Sequence, residues 1–169
     1  MRVGRGTEEG VSIGPVIDDR AVDSLAALVG DAVGRGGARV LTGGSRMAGA
    51  GTFFEPTVLV EVTPGSEILR EEIFGPVLAI ASFSSEEEAV ARANDTEYGL
   101  VSYVFTRDLA RGQRMIEALQ TGMMGLNTGL VSNAAAAFGG VKQSGLGREG
   151  GAEEGIHEYL DTKYTLIPV

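Results

Sequence analysis

The 169-residue sequence contains no cysteine and a single histidine, His157. Without thiols there is neither a disulfide framework nor a thiolate metal site. His157 has no acidic cluster at metal-ligand spacing, so it reads as a surface or packing residue and no metal is expected. No serine stands in a nucleophile-elbow context, so a Ser/His/Asp set is not assigned. Positive charge is also scarce: 14 Lys and Arg against 23 Asp and Glu give a net charge of −9. That balance argues against nucleic acid and anionic membrane as partners, since both need a cationic face. No apolar run approaches the ~20 residues of a membrane helix. The charged, glycine-rich start over residues 1–10 is unlike a signal peptide. These exclusions leave a cytoplasmic protein, with no membrane or nucleic-acid partner, as the expectation.

What the chain has in excess is glycine, 26 residues, which is roughly twice typical usage. Many turns, or close approaches of backbone to a ligand or neighbouring strand, are therefore expected. Val22, Leu25, Val29 and Val33 recur at helical spacing and predict a helix over residues 18–33, stopped by Gly34, Gly36 and Gly37. A short strand over 39–42 leads to a glycine-rich loop, 43–51. Residues 53–62 read as two extended segments broken by Pro56, which lacks a backbone donor. Residues 77–83 form a continuous apolar strand. Ser85-Glu86-Glu87-Glu88 fits a capping box, Ser85 closing the helix start and Glu88 reaching back. That helix runs to Asn94. A strand over 98–106, a helix from its Asp108 cap through Gln120, a strand over 123–127 and an extended tail, 156–169, complete the chain. Strands alternating with helices of about 10–15 residues predict an α/β domain with a mainly parallel sheet and flanking helices. The domain spans residues 1–155, and 156–169 form its tail.

Three segments carry chemistry. In Arg70-Glu71-Glu72-Ile73-Phe74-Gly75-Pro76-Val77 a carboxylate and an aromatic stand two residues apart ahead of a Gly-Pro turn. A carboxylate can accept two hydroxyl hydrogen bonds from a ribose, and a phenyl ring can lie against a flat heteroaromatic one. An arbitrary glutamate pair is more often a solvated face, but here the turn pins the backbone. In Asn127-Thr128-Gly129-Leu130-Val131-Ser132-Asn133 a hydroxyl can donate to a carboxylate in a partly desolvated pocket. The third segment is the glycine-rich Phe138-Gly139-Gly140-Val141-Lys142-Gln143-Ser144-Gly145-Leu146-Gly147-Arg148-Glu149. Its end, residues 145–150, matches the dinucleotide glycine fingerprint literally. It follows another glycine-rich loop rather than a strand, so it is rejected as a pyrophosphate cradle.

On these segments the chain resembles the C-terminal part of the aldehyde dehydrogenase family over nearly its whole length, and most of all the succinate-semialdehyde dehydrogenases. The resemblance implies that Glu72 binds the nicotinamide ribose of NAD or NADP and that Phe74 packs near the nicotinamide. It places Leu100, in Tyr98-Gly99-Leu100, close to the same ring. It implies that Ser132 helps hold the far carboxylate of a semialdehyde and that Phe138 lines the aldehyde pocket. The glycine segment becomes a loop beneath the active site. Related sequences commonly carry proline just before this phenylalanine; here Ala137 follows three other alanines, and the loop is expected to be less rigid. The tail 156–169 matches a strand that joins a neighbouring subunit's sheet, implying an oligomer.

Enzymes of this family work through a cysteine thiolate that attacks the aldehyde to give a thiohemiacetal. Hydride then leaves to NAD(P)+, and a glutamate activates the water that cleaves the thioester. Met1-Arg2-Val3-Gly4-Arg5-Gly6 resembles the segment shortly after that nucleophile, so the cysteine, the glutamate base and the dinucleotide domain are expected upstream. No residue of this chain is assigned as catalytic. The resulting expectation is a C-terminal fragment of an NAD(P)-dependent dehydrogenase for a small aldehyde with a distal carboxylate. Alone it would be inactive; it would pair with an N-terminal half, a full-length relative or another copy of itself. Two alternatives stand beside it: a non-catalytic interaction module of the same fold, and a stand-alone nucleotide-binding protein using Glu72 and Phe74.

Overall fold

The computed structural model describes residues 1–151 and 153–168; Ala152 and Val169, both within the expected segments, lie outside the described residues. The chain divides into two compact units, Met1–Phe83 and Ser84–Val169.

The first unit is organised by helix α1, Asp19–Gly34, which starts where Asp18 accepts a hydrogen bond from the Ala21 amide at 2.8 Å. Its buried stripe is Val22, Leu25, Leu28, Val29 and Ala32. Val33, expected on that stripe, is exposed instead. Strands β1 (Arg39–Thr42), β2 (Thr57–Val60) and β3 (Val77–Ala79) form one sheet in that order. β1 pairs antiparallel to β2, with a register shift between Val40 and Thr42, and β2 pairs parallel to β3. Phe54 and Leu59 are fully buried and pack with the α1 stripe, Val62 and Ile68 into one cluster. Ile68 comes from a 3₁₀ helix, Glu67–Leu69, that the sequence pattern did not reveal. Asp31 of α1 ties that turn down: its carboxylate, 7% exposed, accepts from the Glu67 amide at 2.9 Å and pairs with Arg35 Nε at 3.0 Å.

In the second unit, α2 (Glu86–Asn94) starts at Ser85, whose hydroxyl accepts from the Glu88 amide at 3.2 Å. Glu88 reaches one residue further back than a capping box requires, taking the Ser84 amide at 2.8 Å and the Ser84 hydroxyl at 2.6 Å. The expected strand over 98–106 is two elements, β4 (Tyr98–Gly99) and β5 (Val101–Val104). They separate at Leu100 because they serve different partners. β5 runs parallel to β6 (Met123–Leu126), while β4 pairs antiparallel to a strand far along the chain. Between β5 and β6 lies α3 (Leu109–Ala118), capped by Asp108. The remaining strands are β7 (Ala137–Phe138), β8 (Val141–Lys142), which is the partner of β4, and β9 (Glu149–Gly150), which pairs antiparallel to β7. A short α4, Glu153–His157, follows. The expected extended tail therefore begins inside a helix, and residues 160–168 form no strand. The α/β class holds, with small sheets of mixed pairing rather than one parallel sheet.

Candidate functional site

The segment carrying Glu72 and Phe74 connects the 3₁₀ helix to β3. It is anchored on both sides of the phenylalanine. Ile73 packs against the core cluster. Gly75 lies so close to α1 that a Cβ there would sit 2.6 Å from Leu25 Cδ1. Next, Pro76 accepts from the Thr57 amide at 2.8 Å, fixing the entry into β3. Phe74 between these anchors has φ +35° and is 82% exposed. Left-handed backbone at a bulky residue is disfavoured and persists only where the surroundings enforce it. Here it turns an aromatic ring away from the core, and Glu72 is exposed in the same loop. The loop thus carries an exposed aromatic ring and an exposed carboxylate two residues apart.

The other three expected residues belong to the second unit. Leu100 and Phe138 line a cavity of about 440 Å³ together with Gly140, Ser144 and Glu149. Ser132 lines a second cavity of about 340 Å³, and Phe138 and Glu149 line that one as well. Phe138 and Glu149 are register partners of β7 and β9, so this pair is a wall common to both spaces. Residues 145–150 run from the turn after β8 into β9, and α4 begins at Glu153.

Residues 1–165 match the aldehyde dehydrogenase family. The chain belongs to that family. It is similar to the glutarate-semialdehyde dehydrogenase of Pseudomonas aeruginosa, 49% identical over 167 residues, covering 99% of this chain and 34% of the relative. It is 50% identical over 167 residues to a 3-sulfolactaldehyde dehydrogenase of Pseudomonas putida, with the same coverage. The crystal structure of a succinate-semialdehyde dehydrogenase from Burkholderia pseudomallei superposes with a TM-score of 0.89 at 52% identity, covering 94% of this chain and 33% of that one. The chain thus spans about a third of the length of the relatives it matches.

Side chains that sequence reasoning passed over hold the cavity walls of the second unit in place. Lys142, itself at φ +56°, donates from Nζ to the Asn94 and Thr96 carbonyls at 2.9 and 3.0 Å, so its ammonium neutralises the C-terminal end of α2. Asn94 bridges onward, donating to the Ala118 carbonyl and accepting from the Gln120 amide, each at 2.9 Å. Ser144 accepts from the Gly99 amide at 3.0 Å, which fixes β4 just before Leu100. The Arg148 guanidinium donates to the carbonyls of Gly140, Leu146 and Gly147. Glu149 on the common wall was quoted in the glycine-rich segment without a role; only its pairing with Phe138 reveals its place.

Another cavity, of about 870 Å³, opens at the C-terminal ends of β5 and β6 between Phe105, Arg107, Leu109, Arg111 and Asn127. It contains none of the expected site residues.

Proposed function

We propose that this chain supplies one part of the active site of an NAD(P)-dependent aldehyde dehydrogenase that oxidises a semialdehyde with a distal anionic group to the corresponding carboxylate. In this reading Glu72 accepts the nicotinamide-ribose hydroxyls, Phe74 packs beside the nicotinamide, and Leu100 lies near the same ring. Ser132 donates to the far anionic group of the substrate, and Phe138 walls the aldehyde pocket. The bound dinucleotide supplies the hydride acceptor. With no cysteine in the chain, the thiolate nucleophile must come from polypeptide beyond these 169 residues, as must the general base. The chain alone is therefore inactive: loss of a covalent nucleophile typically lowers turnover on the order of 10⁶-fold. A cytoplasmic setting fits the reading.

One observation carries most of the support. The Phe138–Glu149 wall borders both the cavity with Leu100 and the cavity with Ser132. A dehydrogenase needs such an arrangement, because the nicotinamide and the aldehyde must meet for hydride to pass between them. The relatives named for glutarate semialdehyde, succinate semialdehyde and sulfolactaldehyde all act on an aldehyde that bears a second, anionic group, which suits a hydroxyl donor at Ser132.

The test is co-expression with a polypeptide corresponding to the other two-thirds of the family fold. NAD(P)H formation is then followed with succinate semialdehyde, glutarate semialdehyde and a neutral aldehyde of similar length. Activity is expected only with both polypeptides present. Ser132→Ala should raise KM for the anionic aldehydes about tenfold and leave the neutral one unchanged. An assembled pair that oxidises none of them, or a Ser132→Ala variant with unaltered preference, overturns the proposal.

A further inference from the structure

We infer that Asp31 of α1 is a positioning residue for the loop that bears Glu72 and Phe74, supplying from a distance the cap that the 3₁₀ helix ahead of that loop lacks. The inference rests on the proposed function in reading this loop as the part that meets the dinucleotide.

The 3₁₀ helix Glu67–Leu69 opens at Ser66, whose backbone is extended but whose side chain makes no capping hydrogen bond. Ser66 is fully buried, and its hydroxyl lies 3.5 Å from that of Thr63 instead. The first amide of the helix, at Glu67, donates to Asp31 Oδ2 at 2.9 Å across 36 residues of chain. A helix of three residues makes few bonds of its own, so the partners of its ends decide whether it holds. The Glu67 carbonyl in turn accepts the Arg70 amide at 2.8 Å and the Glu71 amide at 2.9 Å. Asp31, Glu67 and Glu71 are thus linked in series, and Glu72 comes next. Ile68 and Ile73 pack into the core cluster on either side. That leaves the Asp31 bond as the polar brace on the turn between them.

Nothing in α1 itself calls for a carboxylate at this position. Asp31 stands in the last turn of the helix, where the backbone presents partial negative charge and an acidic group is disfavoured. The side chain is 7% exposed, and a buried carboxylate is costly unless it is bonded. Its Oδ1 receives no hydrogen bond among the described residues and has only the ion pair with Arg35 Nε at 3.0 Å. Arg35 is 79% exposed, so that pair is screened by water and contributes little. The Glu67 amide, bonded to a charged acceptor, is the partner that repays the burial.

Three variants test the assignment. Asp31→Ala removes the bond, Asp31→Asn keeps a carbonyl oxygen for the Glu67 amide, and Asp18→Ala weakens α1 at its opposite end. In the isolated chain, Asp31→Ala should quicken amide exchange at Arg70 and Glu71 at least tenfold, with residues 25–29 of α1 within about twofold of wild type. In the enzyme assembled with the rest of the family fold, it should raise KM for the dinucleotide about tenfold. There kcat and KM for the semialdehyde should stay within about twofold, because the loop is displaced and the reacting groups are not. Asp31→Asn should stay within about threefold of wild type in both readouts. Asp18→Ala should lower the melting midpoint yet leave exchange at residues 67–74 and the dinucleotide KM unchanged. Unaltered exchange at Arg70 and Glu71 in Asp31→Ala overturns the inference. So does protection lost as much in α1 as in the loop, or a dinucleotide KM that moves equally in Asp18→Ala, since either would make Asp31 an ordinary residue of the fold. Asp31→Asn as impaired as Asp31→Ala would assign the effect to the Arg35 pair and likewise overturn it. Should the assembled wild type oxidise no aldehyde, the proposed function falls, and exchange at Arg70 and Glu71 alone decides whether Asp31 holds the loop.

Discussion

Phe74 holds a backbone conformation that costs an ordinary L-residue about 1–2 kcal/mol, with φ +35° and its ring 82% exposed. Burial of the ring does not offset that cost; the flanking residues impose it. Ile73 is drawn into the core, and Gly75 is pressed against Leu25. Phe74→Gly should therefore leave stability unchanged or raise it by up to about 1 kcal/mol, since glycine adopts positive φ without the Cβ clash but adds unfolded-state entropy. In the assembled enzyme the same change should raise KM for the dinucleotide about tenfold. A loss of more than about 1 kcal/mol in a denaturant melt would mean that the ring packs the fold rather than a ligand. Gly75→Ala makes the opposite prediction. Its methyl group would meet Leu25 Cδ1 at 2.6 Å, and overpacking of a filled core costs about 1–3 kcal/mol. Thermal melting should register it as a clear fall.

At the scale of elements, α2 and α3 are joined by charge. Arg114 donates to Glu86 at 2.6 and 2.8 Å and Arg111 at 3.2 Å. The Arg114 hydrogen bonds are the main cause that holds the Glu86 carboxyl down to about 2, against an ordinary 4.5. A carboxyl depressed in the folded state contributes stability that is complete above its unfolded pKa and is lost as pH falls through the folded one. Wild type should thus lose an advantage over Glu86→Gln between pH 4.5 and 2, read as converging melting midpoints. Midpoints that keep a constant separation down to pH 2 would refute the coupling. The three long helices were legible because their signals are local: Ser85 and Asp108 cap α2 and α3 within three residues, and α1 showed its apolar spacing and its glycine stop, though its Asp18 cap emerged only in the structure. The two-residue strands were not. Tyr98 pairs with Lys142 and Phe138 with Glu149, and neither pairing leaves a period in the sequence. The candidate site divides in the same way. The motifs around Glu72, Ser132 and Phe138 could be read directly, whereas the common wall exists only through β7–β9 pairing.

Across the whole molecule the two units differ in what holds them. The first has a continuous apolar cluster running from α1 through Phe54 and Leu59 to Ile68. In the second, among the described residues, Met115 is the only buried hydrophobic side chain, and Phe105, Leu109 and Leu130 are each about 70% exposed. Local opening is easiest where few apolar contacts must be broken, and large exposed apolar groups mark surfaces that another polypeptide covers. Amide exchange of the isolated chain should therefore be slowest in α1 and β2 and markedly faster in α3, β5 and β6. Addition of the polypeptide that carries the rest of the family fold should slow exchange in α3, β5 and β6 by at least tenfold while changing α1 little, because α1 is already protected by its own core. Isolated chain in which α3 and β5–β6 exchange as slowly as α1 would mean that the second unit is stable by itself, and that its exposed phenylalanine and leucines need no cover.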